Sequence, residues 1–401
     1  SLGAIFAQPG LSILLLDTFL MWAGFFMLVP LISIHYVDGL GWSAGLVGVA
    51  LAVRQLAQQG LAPFGGLLAD RHGAKPLLIA GMAVRAAGFG LLAFADSFPI
   101  LLAGVTIAAL GGALFEAPQA GAIAVLSSPE TRSQYFAISS TVSALGTAVG
   151  TQIGVLLLGW SFALVAVVAA AVFCTALVVT LLLLPSVKIS TGTRGRGNGL
   201  MLALRDRRMM RFSLVLIGFW FIWVQFSISV PLRVLDVADE DLLRWVFLVN
   251  TGMTIVLGYP VVRYAGKVAS DRSILIAGIA IGAGGYGLLA LAEGTASMLL
   301  CVAVIAFGML MAFPTQRTIA TEMADPVARG SYLGVNGLSL AVGGSLGNVL
   351  GGTLYDLGQN HGAPALPWLT FALIGLSTAA LLLQALPGHG YRSREQDADG
   401  A

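Results

Sequence analysis

The chain has 401 residues, of which 57% are apolar and only 10% charged, against roughly 25% charged in an ordinary soluble domain. Nineteen acidic and 21 basic residues leave a formal charge of +2, so the balance does not point to nucleic acid as a partner. Two cysteines in separate apolar runs and four scattered histidines give neither a disulfide framework nor the spacing of a metal site, and no metal or cofactor is expected. The opening residues carry no basic stretch and no cleavage site, and they read as a trimmed N-terminus.

Runs long enough to span a hydrocarbon core of about 30 Å follow one another along the chain. The first, near 11–36, carries Asp17 and the pair Phe25 and Phe26, and the second, near 43–67, carries Arg54, Gln55 and Gln58. The third (76–95) holds Arg85 and the fourth (98–126) holds Glu116, whereas the fifth (133–159) and sixth (163–184) carry no charge. A polar Gly/Arg-rich linker (185–210) leads to a second set near 211–235, 242–264, 274–292, 296–323, 331–356 and 366–386, and a polar tail (387–401) follows. Trp220, Trp223 and Gln225 fall in the seventh run, Asn250 in the eighth, Arg317 in the tenth and Asn336 in the eleventh. Lipid offers no hydrogen bonds to an open backbone, so these runs are predicted helices. The expected fold is an all-α integral membrane protein: 12 transmembrane helices in two six-helix bundles, residues 1–184 and 211–386.

The two sets repeat each other at an offset of 197 residues. Gly111, Pro129, Arg132, Tyr135, Gly146, Gly150 and Gly154 recur as Gly308, Pro326, Arg329, Tyr332, Gly343, Gly347 and Gly351. Parallel halves of this kind are one architecture of secondary transporters. Positive charge also alternates between loops. Sixteen of the 21 Lys and Arg residues lie on the side of the linker, Arg233 and Arg244 lie on the other, and Arg54, Arg85 and Arg317 are inside helices. Both termini and the linker are therefore expected in the cytoplasm.

Between the second and third runs the spacing is Gly66-x3-Asp70-Arg71-x-Gly73-x-Lys75. With the two six-helix halves, this resembles the major facilitator superfamily, in which the loop latches the halves together on the cytoplasmic side; Arg132 and Arg329 lie on the same side. Gly146, Gly150, Thr151 and Gly154 look like a weakened form of the glycine-rich fifth-helix signature of the family's 12-helix drug:proton antiporters, and they equally suit close helix packing. Gly24-Phe25-Phe26, Arg54-Gln55, Gln58-Gln59-Gly60 and Arg85-Ala86-Ala87-Gly88-Phe89 resemble the MdtH-type multidrug exporters of bacterial inner membranes. The resemblance implies proton-driven export of lipophilic small molecules by a monomer in the lipid bilayer, with no cofactor. The arginine typical of drug antiporters in the fourth helix is absent, residues 105–109 being apolar. Uptake or facilitated transport of a small metabolite, as a symporter or uniporter, therefore stays open.

Ionisable groups inside a membrane are expensive and point to function. Asp17 and Glu116 are the candidate proton carriers, with Arg54, Arg85, Arg317 and Gln58 as the network around them. The alternative is static ion pairs that pin helices. Phe25, Phe26, Gln55, Trp220, Trp223, Gln225, Asn250 and Asn336 are the candidate lining of an apolar substrate cavity with a few polar groups. No nucleophile–base or paired-histidine arrangement supports an embedded enzyme.

Overall fold

The computed structural model describes residues 9–127, 129–185, 196–237, 240–324 and 329–386, and within these the chain is helical with short turns. The first bundle consists of α1 (Pro9–Ser33), α2 (Ala44–His72), α3 (Ala74–Leu92), α4 (Phe98–Leu126), α5 (Pro129–Leu158) and α6 (Phe162–Leu183). The second consists of α7 (Arg207–Val224), α8 (Glu240–Val268), α9 (Asp271–Leu288), α10 (Thr295–Met323), α11 (Arg329–Asn360) and α12 (Leu366–Ala385). Eleven segments are long and apolar enough to cross a membrane. The remaining long helix, α2, has 29 residues, or about 43 Å at 1.5 Å per residue. Arg54, Gln55, Gln58 and Gln59 lower its hydropathy, and the first three of these make contacts inside the molecule.

Local chemistry sets the helix starts. Ser43 and Ser161 each accept an amide hydrogen bond at 3.1 Å at the beginnings of α2 and α6, as N-caps do. Asp206 does the same for α7, accepting from the amides of Arg208 at 2.8 Å and Met209 at 3.3 Å. That cap starts α7 four residues before the predicted 211, and a ten-residue helix, Arg196–Arg205, occupies the end of the expected linker and packs on α11. Two prolines lie near helix deviations, whereas Pro118, Pro260 and Pro314 lie inside continuous helices. α1 passes through a π turn at Ile34–Gly39 shortly after Pro30, and α7 breaks into a 3-10 turn before the short helix Ser229–Val237 that contains Pro231.

The internal repeat becomes a repeat of packing. The pairs α1–α5, α1–α6, α2–α4, α3–α4 and α3–α6 recur as α7–α11, α7–α12, α8–α10, α9–α10 and α9–α12. Glycines bring the first of these pairs together. A Cβ at Gly146, Gly150 or Gly154 would press on the α1 backbone at Phe19, Ala23 and Met27. The equivalent Gly343 and Gly347 meet the α7 backbone at Ile217 and Phe221, and Gly351 makes room for the side chain of Gln225. The stripe thus packs helices in both halves, as small residues do in membranes.

The halves meet mainly through α2 against α11 and, less extensively, α5 against α8. Both contacts lie towards the face that carries the α1–α2 and α11–α12 loops. Asp356 on α11 accepts the amides of Ala44 (2.9 Å) and Gly45 (2.8 Å) at the open N-terminus of α2, where a negative charge is favoured. Gly48 lies against the Asn348 backbone and Gly352 against that of Ala44. Further along, Ser345 donates to the Ala52 carbonyl at 3.3 Å, and Gln152 on α5 donates to the Arg244 carbonyl on α8 at 3.2 Å. Towards the linker face the same helices stand apart. Gly60 on α2, Gly258 and Gly266 on α8, and Gly334 and Gly337 on α11 have open space where a Cβ would project. Among the described residues the two halves are sealed on the loop face and open on the linker face.

Candidate functional site

A cavity of about 180 Å³ lies at mid-height between the halves. Its aromatic walls are Trp22 and Phe26 from α1, Trp223 from the last turn of α7 and Phe226 from the 3-10 turn that follows. Trp22 stacks on Phe26 with centroids 5.5 Å apart, and Trp223 lies 6.2 Å from Phe313 on α10. Thr147 on α5 and Asn250, Thr251 and Thr254 on α8 supply the polar groups. Large apolar surfaces with a few placed hydrogen-bonding groups suit an amphipathic small molecule. Of the predicted lining, Phe26, Trp223 and Asn250 come together here. Trp22, Phe226 and Thr147 were missed. The signal available for Trp22 was its spacing of four residues from Phe26, which places both on one helix face.

The other predicted lining residues are elsewhere. Gln225 is fully buried and bonded, donating to the carbonyls of Phe221 and Gly347 at 2.9 Å each and accepting from Ser229 at 2.8 Å. Trp220 donates its indole N–H to Ser339 at 3.1 Å, and Asn336 donates to Gln316 at 3.3 Å, which ties α7, α11 and α10 together. Gln55 is buried in the α2–α11 seal beside Gly344 and accepts from Arg54. Phe25 turns away from its neighbour Phe26 towards the charges.

Those charges form one cluster on the linker side of the aromatic cavity. Gln58 donates to Glu116 at 2.5 Å and accepts from Arg54 at 3.3 Å and from Arg85 at 3.4 Å. The guanidinium carbons of Arg54 and Arg85 each lie 5.1 Å from the Phe25 ring centre, within cation–π range. Arg317 lies over Phe313 at 4.9 Å and reaches the cluster from the opposite half; it and both other arginines act electrostatically on Glu116. Glu116 and Arg317 are solvent-exposed although they lie deep among the helices, so both face the open vestibule. No ion pair within 4.0 Å forms in this cluster among the described residues.

Asp17 is not part of the cluster. It is fully buried, accepts a hydrogen bond from Thr180 on α6 at 2.8 Å, and leaves Oδ1 without a partner. The two acids therefore occupy separate environments, one inside the first bundle and one on the vestibule wall.

In the loop motif, Gly73 ends α2 and begins α3 at φ 88°, ψ 166°, a region open essentially to glycine alone. Gly73→Ala is expected to cost about 1–3 kcal/mol, read as a lowered unfolding midpoint in detergent. Lys75 is half-buried on the first turn of α3. Gly66, Asp70, Arg71, Arg132 and Arg329 lie on the helices around this face, and their side chains fall outside the described residues.

Two pseudo-symmetric six-helix bundles with a cavity between them, open to one face, define a membrane transporter of the secondary type. The sequence profile of the Major Facilitator Superfamily matches residues 14–348 and, again, 238–398, and the chain belongs to that family. It is 38% identical over 371 residues to the "Multidrug resistance protein MdtH" of Aeromonas hydrophila, covering 92% of this chain and 94% of that protein. The protein of the same name from Edwardsiella ictaluri is 38% identical over 376 residues, 94% of each chain. Among solved structures, the nucleoside transporter NupG is similar in fold (TM-score 0.75, 14% identity, covering 94% of this chain and 99% of that one). So is a POT family transporter crystallised with 5-aminolevulinic acid (TM-score 0.80, 15% identity, 94% and 97%). At these identities the two structures speak to the fold alone.

Proposed function

We propose that the protein exports lipophilic, amphipathic compounds from a bacterial cell by alternating access, driven by inward proton flow and without a cofactor. The observation that carries this reading is the aromatic cavity between the halves, reached from the linker face, in a chain so similar to proteins named for multidrug resistance. The positive loops put that face in the cytoplasm, so the cavity loads from the inside of the inner membrane. The chain works as a monomer, because one copy already holds both halves around one path. Glu116 is the proton carrier best situated for coupling, since it faces the vestibule and sits beside the substrate cavity. Asp17 is the second candidate.

The test is proton movement in proteoliposomes that hold purified protein and a trapped pH dye, with lipophilic cationic, zwitterionic and acidic drugs added across a preset pH gradient. Drug-dependent proton release is expected from the wild type and is expected to be lost in a folded Glu116→Gln variant. Flux that survives both Glu116→Gln and Asp17→Asn would remove these acids as carriers. Substrate movement with no proton flux at all would favour facilitated transport of a metabolite.

A further inference from the structure

The charges of the cluster beside the cavity do not balance. Arg54, Arg85 and Arg317 converge on the single carboxylate of Glu116, which leaves an excess of two positive charges. Asp17 is the other acid within the described spans near this level, and its side chain is bonded to Thr180 inside the first bundle. The arginines are also under-used. Arg85 is only 5% exposed, yet its Nε has no hydrogen-bond partner, and the Nε of Arg54 is likewise buried without one. Their remaining bonds go to glutamine oxygens at 3.1–3.4 Å, and Arg317 has an aromatic face rather than an acid beneath it. Buried guanidinium groups with too little counter-charge are costly, and they match carboxylate, phosphonate or sulfonate oxygens in geometry.

The aromatic cavity adjoins these groups on both sides. Phe25, against Arg54 and Arg85, lies 5.2 Å from Phe26 of the cavity wall, and Phe313, beneath Arg317, stacks on Trp223. An aromatic body held between Phe26 and Trp223 would extend an attached acidic group towards arginines from both halves.

We infer that the transport cavity selects amphipathic molecules bearing an acidic group, the aromatic portion lying in the Trp22–Phe26–Trp223–Phe226 cage and the anion between Arg54 and Arg317. This rests on the reading of the cavity as the substrate site, and not on the direction of transport. It also gives closure a driving force: an anion bridging Arg54 of one half and Arg317 of the other draws the open linker face together.

Three probes that share one ring system separate the possibilities: 2-naphthylacetate, its methyl ester and (2-naphthylmethyl)trimethylammonium. Binding is measured by calorimetry with the full-length protein in lipid nanodiscs. The acid is expected to bind about tenfold or more tightly than the ester, the worth of one charge-assisted contact, and the cation more weakly still. Arg317→Gln is expected to reduce the ratio of acid to ester affinity to near one, whatever it does to the affinity of the ester itself; Arg317→Lys is expected to restore part of that ratio. Ester or cation binding as tight as the acid overturns the charge preference and leaves the cavity as the substrate site. No binding of any probe overturns both. An acid preference unchanged in Arg317→Gln and in Arg54→Gln overturns the assignment of the anion to these arginines.

Discussion

Gly352→Leu is expected to hold the two halves apart on the loop face and to trap the transporter away from the conformation described above. Even a Cβ at this position would overlap the backbone of Ala44, and backbone cannot yield as a flexible side chain can. Separation there also breaks the two hydrogen bonds that the Ala44 and Gly45 amides donate to the Asp356 carboxylate. Hydrogen bonds to a charged acceptor contribute about 1.5–3 kcal/mol each, so their loss moves a two-state equilibrium by at least about tenfold. Asp356→Asn keeps the shape and removes the charge, and a smaller shift in the same direction is expected from it. Spin labels at Trp160 and Leu291, both exposed on the loop face in opposite halves, report the change as a longer inter-label distance. Transport by Gly352→Leu is expected to fall to background. A distance distribution identical to that of the wild type in both variants would show that α2 and α11 do not form the seal.

The second large effect is on stability. Gly150 lies against Ala23 so closely that any side chain must push α1 and α5 apart. Gly150→Ala is expected to cost about 1–3 kcal/mol, as overpacking does, and Gly150→Leu is expected to abolish folding. Gly252→Ala on α8 is the control. Nothing lies within 4 Å of its Cβ position, so there the helix preference for alanine, worth up to about 1 kcal/mol, is all that changes. Opposite signs for two glycine-to-alanine changes in membrane helices, measured as thermal unfolding in detergent, would be hard to explain except by packing. The effect carries to the cavity because Trp22 and Phe26 on α1 and Thr147 on α5 all line it.

The same glycines show how the sequence and the tertiary structure divide the information. That helices five and eleven carry matching stripes is visible from the repeat. The identity of their partners, α1 and α7, is not, because a stripe of small residues specifies close approach without saying to what. The second helix was likewise legible as two spacing-four pairs on adjacent faces, Arg54 with Gln58 and Gln55 with Gln59. What each face meets was not: Gln55 is buried in the seal with α11, whereas Gln58 holds Glu116. Adjacent faces of one helix look towards different neighbours, and only the packing decides which residue meets which.

Trp220 and Trp223 make the point within one turn. Both are large aromatics near the middle of a predicted span, and sequence gives no reason to separate them. Trp220 is 4% exposed and spends its N–H on Ser339, while Trp223 turns into the cavity. Asp17 and Glu116 were similarly equivalent as buried acids, and the structure puts one inside a bundle and the other on the vestibule wall.

The sequence by itself determined the long apolar helices, the internal repeat and the membrane as solvent, because each depends on the pattern of residues along the chain and on backbone groups that lipid cannot satisfy. It also determined which residue types carry charge into the membrane. What only the tertiary structure decided is where those charges meet, which aromatics share a cavity and which face of the molecule is closed. These depend on contacts between residues hundreds of positions apart, such as Asp356 with Ala44, and no local pattern encodes the rotation of one helix about its axis against another.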